Sequence, residues 1–193
     1  MKSRKSGRRH PLLLYRRAMD RIWKASLPLG LLLGLIWGFQ FFSGVQLIAI
    51  PNNSWILGAA IVILVFSVVA FLGRYAAYTQ ACRDHLLLAT PFLRLRISYR
   101  RMRRVHPSDF SQLFPPNQAS WAQRNFLAPY YSKTAIVIEL NGYPLSPSIL
   151  RLFLAPPMFY RQSPGLVLLV SNWMEFSTEL DTFRGVWMRS YAK

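Results

Sequence analysis

Acidic side chains are scarce in this chain: seven Asp and Glu stand against 24 Lys and Arg, for a formal charge of +17. So few and so scattered, these carboxylates offer little from which to build an acid–base pair or an oxygen-ligand metal site. The single cysteine, Cys82, excludes an internal disulfide and fits a buried or half-buried thiol in a reducing compartment. The three histidines, His10, His85 and His106, lack Cys or carboxylate partners at zinc-ligand spacing. No phosphate-binding glycine loop, dinucleotide fingerprint or nucleophile elbow occurs. The expectation is a protein that is not an enzyme and holds no cofactor and no metal. Charge of either sign is missing altogether from residues 25–73.

That uncharged stretch contains two long apolar runs, Ser26–Ile50 and Trp55–Gly73, separated by the polar turn Pro51-Asn52-Asn53-Ser54. Each matches the ~20 residues that cross a hydrocarbon core. The short turn makes them antiparallel neighbours, a transmembrane hairpin over residues 25–73. The first run is too long for a signal peptide and has no small-residue cleavage site before the second. Its tight turn lies against the bilayer, which discounts Asn52-Asn53-Ser54 as a glycosylation acceptor.

The flanks set the orientation. Residues 1–24 carry nine basic side chains and one Asp, and residues 74–193 carry fifteen basic and six acidic ones. Arg16, Arg17, Arg21 and Lys24 precede the first span, Arg74 and Arg83 follow the second, and the turn has none. Positive charge stays on the cytoplasmic side, so both termini are expected there, in a cell-membrane protein with two spans. Trp23 and Trp55 fit interfacial anchors. A basic surface suits anionic membrane lipids as partners, and nucleic acid is not expected.

Residues 1–24 read as a basic cytoplasmic tail followed by an interfacial amphipathic helix, with Leu12, Tyr15, Met19, Ile22 and Trp23 on one face. Gly30, Gly34 and Gly38 recur every four residues, which aligns them on one face of the first span. Such a face lets another backbone approach: the second span near Gly58, Ala59 and Ala60, a second copy of the chain, or a membrane-protein partner. Gln40 and Gln46 can hydrogen-bond across helices. The spans contain no ionisable residue, which argues against a coupled transporter.

From residue 74 the pattern becomes short and alternating. Strands are expected over Tyr75–Cys82, His85–Thr90, Phe92–Tyr99, Arg100–His106, Thr134–Leu140, Ile149–Leu154 and Gly165–Val170. In the third, Leu93, Leu95, Ile97 and Tyr99 fall on one face and Arg94, Arg96 and Ser98 on the other. Residues 107–132 are Pro-rich and loop-like, with a short helix over Gln118–Phe126. Two loops set aromatics beside prolines, Phe126–Tyr131 and Pro156–Arg161. The last segment changes period: Phe176, Leu180, Phe183 and Trp187 lie on one helix face, with acids at the start and bases at the end.

Seven short strands closed by one amphipathic helix resemble a PH-like fold. With a two-helix hairpin ahead of the module, the chain is similar to bacterial PH-domain membrane proteins. The resemblance lies in Tyr78-Thr79, in His85–Phe110 with its Arg96-Ile97-Ser98-Tyr99 continuing to Val105, and in Gly165–Phe183. It covers about residues 74–190, with the Pro-rich segment as the departure. It implies an α+β protein: a transmembrane hairpin, then a cytoplasmic bent β-sheet barrel over 74–193 with a C-terminal capping helix. An OB-fold barrel is the competitor, less favoured because its helix usually lies mid-chain.

The strongest chemical feature is the run Arg94, Arg96, Arg100, Arg101, Arg103 and Arg104. It fits a solvated face, an anionic lipid surface or an acidic protein partner. Two functional readings follow: a non-enzymatic, membrane-anchored module for protein or anionic-lipid contacts, and an accessory subunit packing through its hairpin on a larger membrane complex.

Overall fold

The computed structural model describes residues 6–44 and 54–191. The chain divides into two compact units, one formed by Met1–Tyr15 with Ala76–Lys193 and the other by Arg16–Tyr75. It is an α+β protein with two long apolar helices near the N-terminus followed by antiparallel sheets.

Helix α1 spans Leu13–Ser43 and α2 spans Ser54–Ala76. By length and apolarity each could cross a membrane. The expected amphipathic helix, from Leu13, and the first span as far as Ser43 are one continuous α1, which runs through Pro28. At ~1.5 Å per residue, α1 is roughly 46 Å long and α2 roughly 34 Å. Gly44, with φ at +66°, ends α1 and donates to the Gln40 carbonyl at 3.2 Å. Gln46 and the turn at 51–53 lie outside the described residues.

Within the helical unit, α2 turns a stripe of mainly small residues inward: Ile56, Ala60, Ser67, Ala70 and Gly73 are buried. One end of the pair is pinned by polar groups. Arg74 Nη1 donates to Asp20 Oδ1 at 3.1 Å, and Trp23 Nε1 donates to the same oxygen at 3.1 Å. The Ser67 hydroxyl donates to the Trp23 carbonyl at 3.2 Å, and the Trp23 ring meets Phe71 edge-on at 5.4 Å. Arg74 also lies over Phe71 and donates to the Tyr75 hydroxyl. The outward faces carry large apolar side chains, Leu35, Phe42, Val62 and Phe66 among them.

The other unit holds two antiparallel sheets. The first has the order β1-β2-β3-β4, from His10–Pro11, Tyr78–Ala81, His85–Ala89 and Arg94–Ser98. The second has the order β5-β6-β7, from Met102–Asp109, Thr134–Leu140 and Gly165–Leu168. The strands form two separate sheets, so the expected closed barrel is not what the described residues build. Helices α3 (Phe110–Leu113) and α4 (Trp121–Leu127) occupy the Pro-rich segment, and α5 is Pro147–Phe153. Helix α6, Trp173–Tyr191, ends the described chain with Phe176 and Leu180 fully buried.

Three local expectations change. Residues 6–12 are no free tail: β1 pairs with β2 through His10–Thr79 and Pro11–Tyr78, and Ser6 bridges Cys82. The Gly7 amide donates to the Ala81 carbonyl at 2.7 Å, and a Cβ on Gly7 would stand 2.6 Å from Glu179 Oε2. The unit therefore includes residues 6–12 and does not start at residue 74. The expected strand over Ile149–Leu154 is α5, because Pro147 in the first turn presets helical φ and has no amide of its own to leave unpaired at the helix start. Among the described residues the glycine face meets a neighbour only at Gly30, where a Cβ would come within 2.9 Å of Leu64. Gly34 and Gly38 have nothing within 4 Å of a built Cβ among the described residues, and neither does Gly58. Of the small residues expected opposite them, only Ala60 is buried.

Candidate functional site: the arginine corner and the two ends of the sheets

Strand β4 alternates as its sequence requires. Leu95 and Ile97 are buried, Arg94 and Arg96 exposed. The chain then turns through a single 3-10 turn, Tyr99–Arg101, capped by the Ser98 hydroxyl, which accepts from the Arg100 amide at 3.4 Å. Tyr99 fixes this corner. Its ring is fully buried and its hydroxyl donates to the Cys82 carbonyl at 2.5 Å. Burial raises the Tyr99 hydroxyl well above its ordinary pKa, so it stays a donor. The Trp187 ring of α6 meets Tyr99 edge-on at 6.2 Å.

Strand β5 starts with an irregularity that decides what the corner shows. Met102 pairs with Leu140 and Arg104 with Glu139, so two steps on β5 match one on β6 and Arg103 is the extra residue. The bulge breaks the alternation, and Arg103 and Arg104 are both exposed while Met102 is buried. The Arg184 guanidinium of α6 braces it by donating to the carbonyls of Met102 and Arg103, each at 3.3 Å.

All six predicted arginines are exposed. Arg101 donates to the Tyr143 carbonyl at 3.3 Å. Among the described residues no carboxylate forms an ion pair with any of the six; the carboxylate pairs are Arg8–Glu175, His10–Glu179, Arg74–Asp20 and His106–Glu139. Arg96 acts on its surroundings instead. Burial and then the Arg96 charge lower the His85 pKa, and burial raises the Cys82 thiol against the opposing pull of Arg96.

The register divides the six between two ends. Pro11, Tyr78, Ala89 and Arg94 stand in one row across the first sheet. The chain departs beside this row after Leu12 and returns at Ala77, where the Leu12 amide donates to the Ala77 carbonyl at 3.1 Å. His85 and Ser98 mark the opposite end, ~13 Å along β4 at ~3.3 Å per residue. Arg100, Arg101, Arg103 and Arg104 follow that far end, Arg94 sits at the departure end, and Arg96 lies between. The run is therefore not one continuous face.

The second sheet shares the departure end. Asp109 pairs with Thr134 there, β7 continues past Leu168, and Val170 bridges Leu12. Of the aromatic loops, Leu127, Tyr130 and Met158 are buried packing residues. The exposed aromatics Trp121 and Phe92 were not singled out by sequence. No group of three or more His, Cys, Asp or Glu among the described residues is placed to hold a metal ion.

Compared with protein-family models, with curated proteins and with solved structures, the chain matches none of them.

Proposed function

We propose that this chain is a two-span membrane protein whose PH-like module holds an arginine corner at the cytoplasmic face to bind acidic protein segments, without catalysing a reaction. The observation that carries the reading is the uncompensated corner: Arg100, Arg101, Arg103 and Arg104 are exposed and no carboxylate is paired to them among the described residues. A surface that keeps so much charge of one sign attracts and orients acidic partners. Four of the six stand at the end of the sheets away from the chain's departure, which favours a partner in the cytoplasm over the lipid the chain is anchored in.

The anchor reading rests on the exposed apolar faces of α1 and α2, which water would not tolerate over such an area. Connectivity supports the side. A chain that leaves β1 and rejoins at the neighbouring β2 can cross a bilayer only an even number of times between them. With the basic flanks, that supports a cytoplasmic location for both termini. A four-stranded and a three-stranded antiparallel sheet followed by a C-terminal helix support the PH-like reading.

The test uses the full chain in neutral-lipid nanodiscs, titrated with fluorescent polyglutamate. Replacing Arg100, Arg101, Arg103 and Arg104 by Gln should weaken binding at least tenfold. Replacing Arg124, Arg151, Arg161 and Arg189, with the same loss of charge, should change it little. Binding should fade with salt as the screening length drops from ~10 Å at 0.1 M to ~3 Å at 1 M. Equal losses in the two variants would reduce the corner to a share of the net charge. Reporter fusions at residues 1 and 193 should both score cytoplasmic. A second reading, an accessory subunit docked through its hairpin, is favoured by the open Gly34 and Gly38 face.

A further inference from the structure

We infer that the departure end of the sheet unit is a lipid-contacting surface, in which Trp121 and Phe92 seat at the headgroup boundary of an anionic bilayer beside Arg94, Arg124 and Lys133. This rests on the proposed anchoring of the hairpin, and it assigns a second partner to the end opposite the arginine corner.

Two segments are rooted at that end. The Pro-rich insertion leaves the second sheet at Phe110 and rejoins it at Lys133, where the Phe110 amide donates to the Lys133 carbonyl at 3.0 Å. Its root is tied beside the departing chain, since the Tyr130 hydroxyl donates to the Leu13 carbonyl at 3.0 Å. Phe110, Phe114, Leu127 and Tyr130 are buried beneath it, so the insertion is a packed structure and not a loose loop. Trp121 nevertheless stands 79% exposed on the first turn of α4. A capping box between Ser120 and Gln123 fixes that turn, so the indole is held out by an ordered backbone.

The second segment is the β3–β4 turn. The Thr90 amide donates to the Leu93 carbonyl at 2.7 Å, and the Thr90 hydroxyl accepts from the Leu93 amide at 3.0 Å. This tight turn displays Phe92, 63% exposed, two residues from Arg94. Rigidly presented aromatics flanked by cations are the combination that partitions into a membrane interface. The charge agrees: residues 110–133 contain Arg124 and Lys133 and no acidic residue. Covalent continuity supplies proximity, because Ala77 and Leu12 at this end adjoin the two apolar helices directly. Even weak intrinsic affinity then acts at high local concentration.

The experiment labels full-length protein with an environment-sensitive fluorophore at single cysteines in a Cys82→Ser background, namely Phe92→Cys, Trp121→Cys, Arg103→Cys at the far end, and Phe66→Cys on α2. The protein is placed in phosphatidylcholine nanodiscs with or without phosphatidylglycerol, and brominated acyl chains serve as quenchers. Probes at 92 and 121 should be blue-shifted and quenched roughly threefold more than the probe at 103, more strongly in anionic discs. Arg94, Arg124 and Lys133 changed together to Gln should remove the difference between lipids. Quenching at 66 with water-like signals at 92 and 121 overturns the inference and leaves the anchor standing. No quenching at 66 overturns both. Shielding of 92 and 121 only on addition of cell extract assigns the surface to a protein partner and likewise overturns it.

Discussion

Glu179→Ala should free the N-terminal strand from the rest of its unit. The Glu179 carboxylate accepts from the Arg8 amide at 3.1 and 3.2 Å and lies 3.3 Å from His10 Nε2. His10 is buried and packs edge-on against Phe176 at 5.3 Å, so its ring nitrogen would lose its partner where water does not readily replace it. That loss is worth about 1–3 kcal/mol, and the exposed Arg8 amide adds less because solvent can take over. A total of about 2–3 kcal/mol corresponds to roughly a 30–150-fold rise in local opening. The assay is amide hydrogen exchange in detergent, read at Gly7 and Leu12, which bond the Ala81 and Ala77 carbonyls. The control is Glu175→Ala: its ion pair with Arg8 at 2.6 Å joins side chains 67% and 33% exposed and contributes about 0–1 kcal/mol. If both variants leave those amides equally protected, or Glu175→Ala opens them more, the strand is not latched through Glu179.

Two further outcomes follow from single positions. Gly30→Leu should destabilise the helical unit by about 1–3 kcal/mol by overpacking against Leu64, whereas Gly34→Leu should leave the isolated hairpin's stability unchanged; detergent thermal scans with disulfide cross-linking separate the two, and loss of cross-linking between copies in Gly34→Leu alone would mark the open face as a seam. His85 carries a depressed pKa, so above ~6.5 it is neutral in folded and unfolded chains alike, and as pH falls below that value the unfolded chain binds its proton first and stability declines until the folded value is passed. His85→Gln should flatten that decline between about pH 7 and 5 in denaturant melts, and an unaltered slope would assign it to other groups.

Length and apolarity made the two helices legible, and period-two alternation did the same for β4, where burial follows Leu95 and Ile97 as the sequence indicates. The α6 face was equally readable from Phe176 and Leu180. What escaped is non-local. His10–Pro11 is a two-residue strand whose partners, Thr79 and Pro11's Tyr78, lie 67 or more residues away, and its basic flanks show no strand period. The arginine run looked like one patch because spacing along a strand says nothing of a bulge; Met102 facing Leu140 while Arg104 faces Glu139 is what leaves Arg104 outward beside Arg103. Ile149–Leu154 was ambiguous in its apolar pattern, and Pro147 at the first turn held the deciding signal. Three evenly spaced glycines fixed a face, but it is the position of Leu64 that covers Gly30 and, among the described residues, neither Gly34 nor Gly38.

The hairpin is inserted into the sheet unit rather than placed before it, and this changes the energetics of both. Pairing β1 with β2 across a flexible segment of this length would cost about 3–4 kcal/mol in closure entropy, much for a ladder of two residues. Its described residues are almost all helical, in α1 and α2. Asp20 near the start of α1 binds Arg74 near the end of α2, and Trp23 meets both Ser67 and Phe71, so the helical unit already holds its two ends together. Helix packing in that unit therefore offsets part of the closure cost, and a short ladder, two carboxylates on α6 and one buried histidine hold β1 in the first sheet. The dependence runs in both directions. A sheet that binds residues 10–12 and 77–79 side by side holds the start of α1 and the end of α2 at neighbouring points, which the Glu179 contacts to Arg8 and His10 reinforce within the same unit.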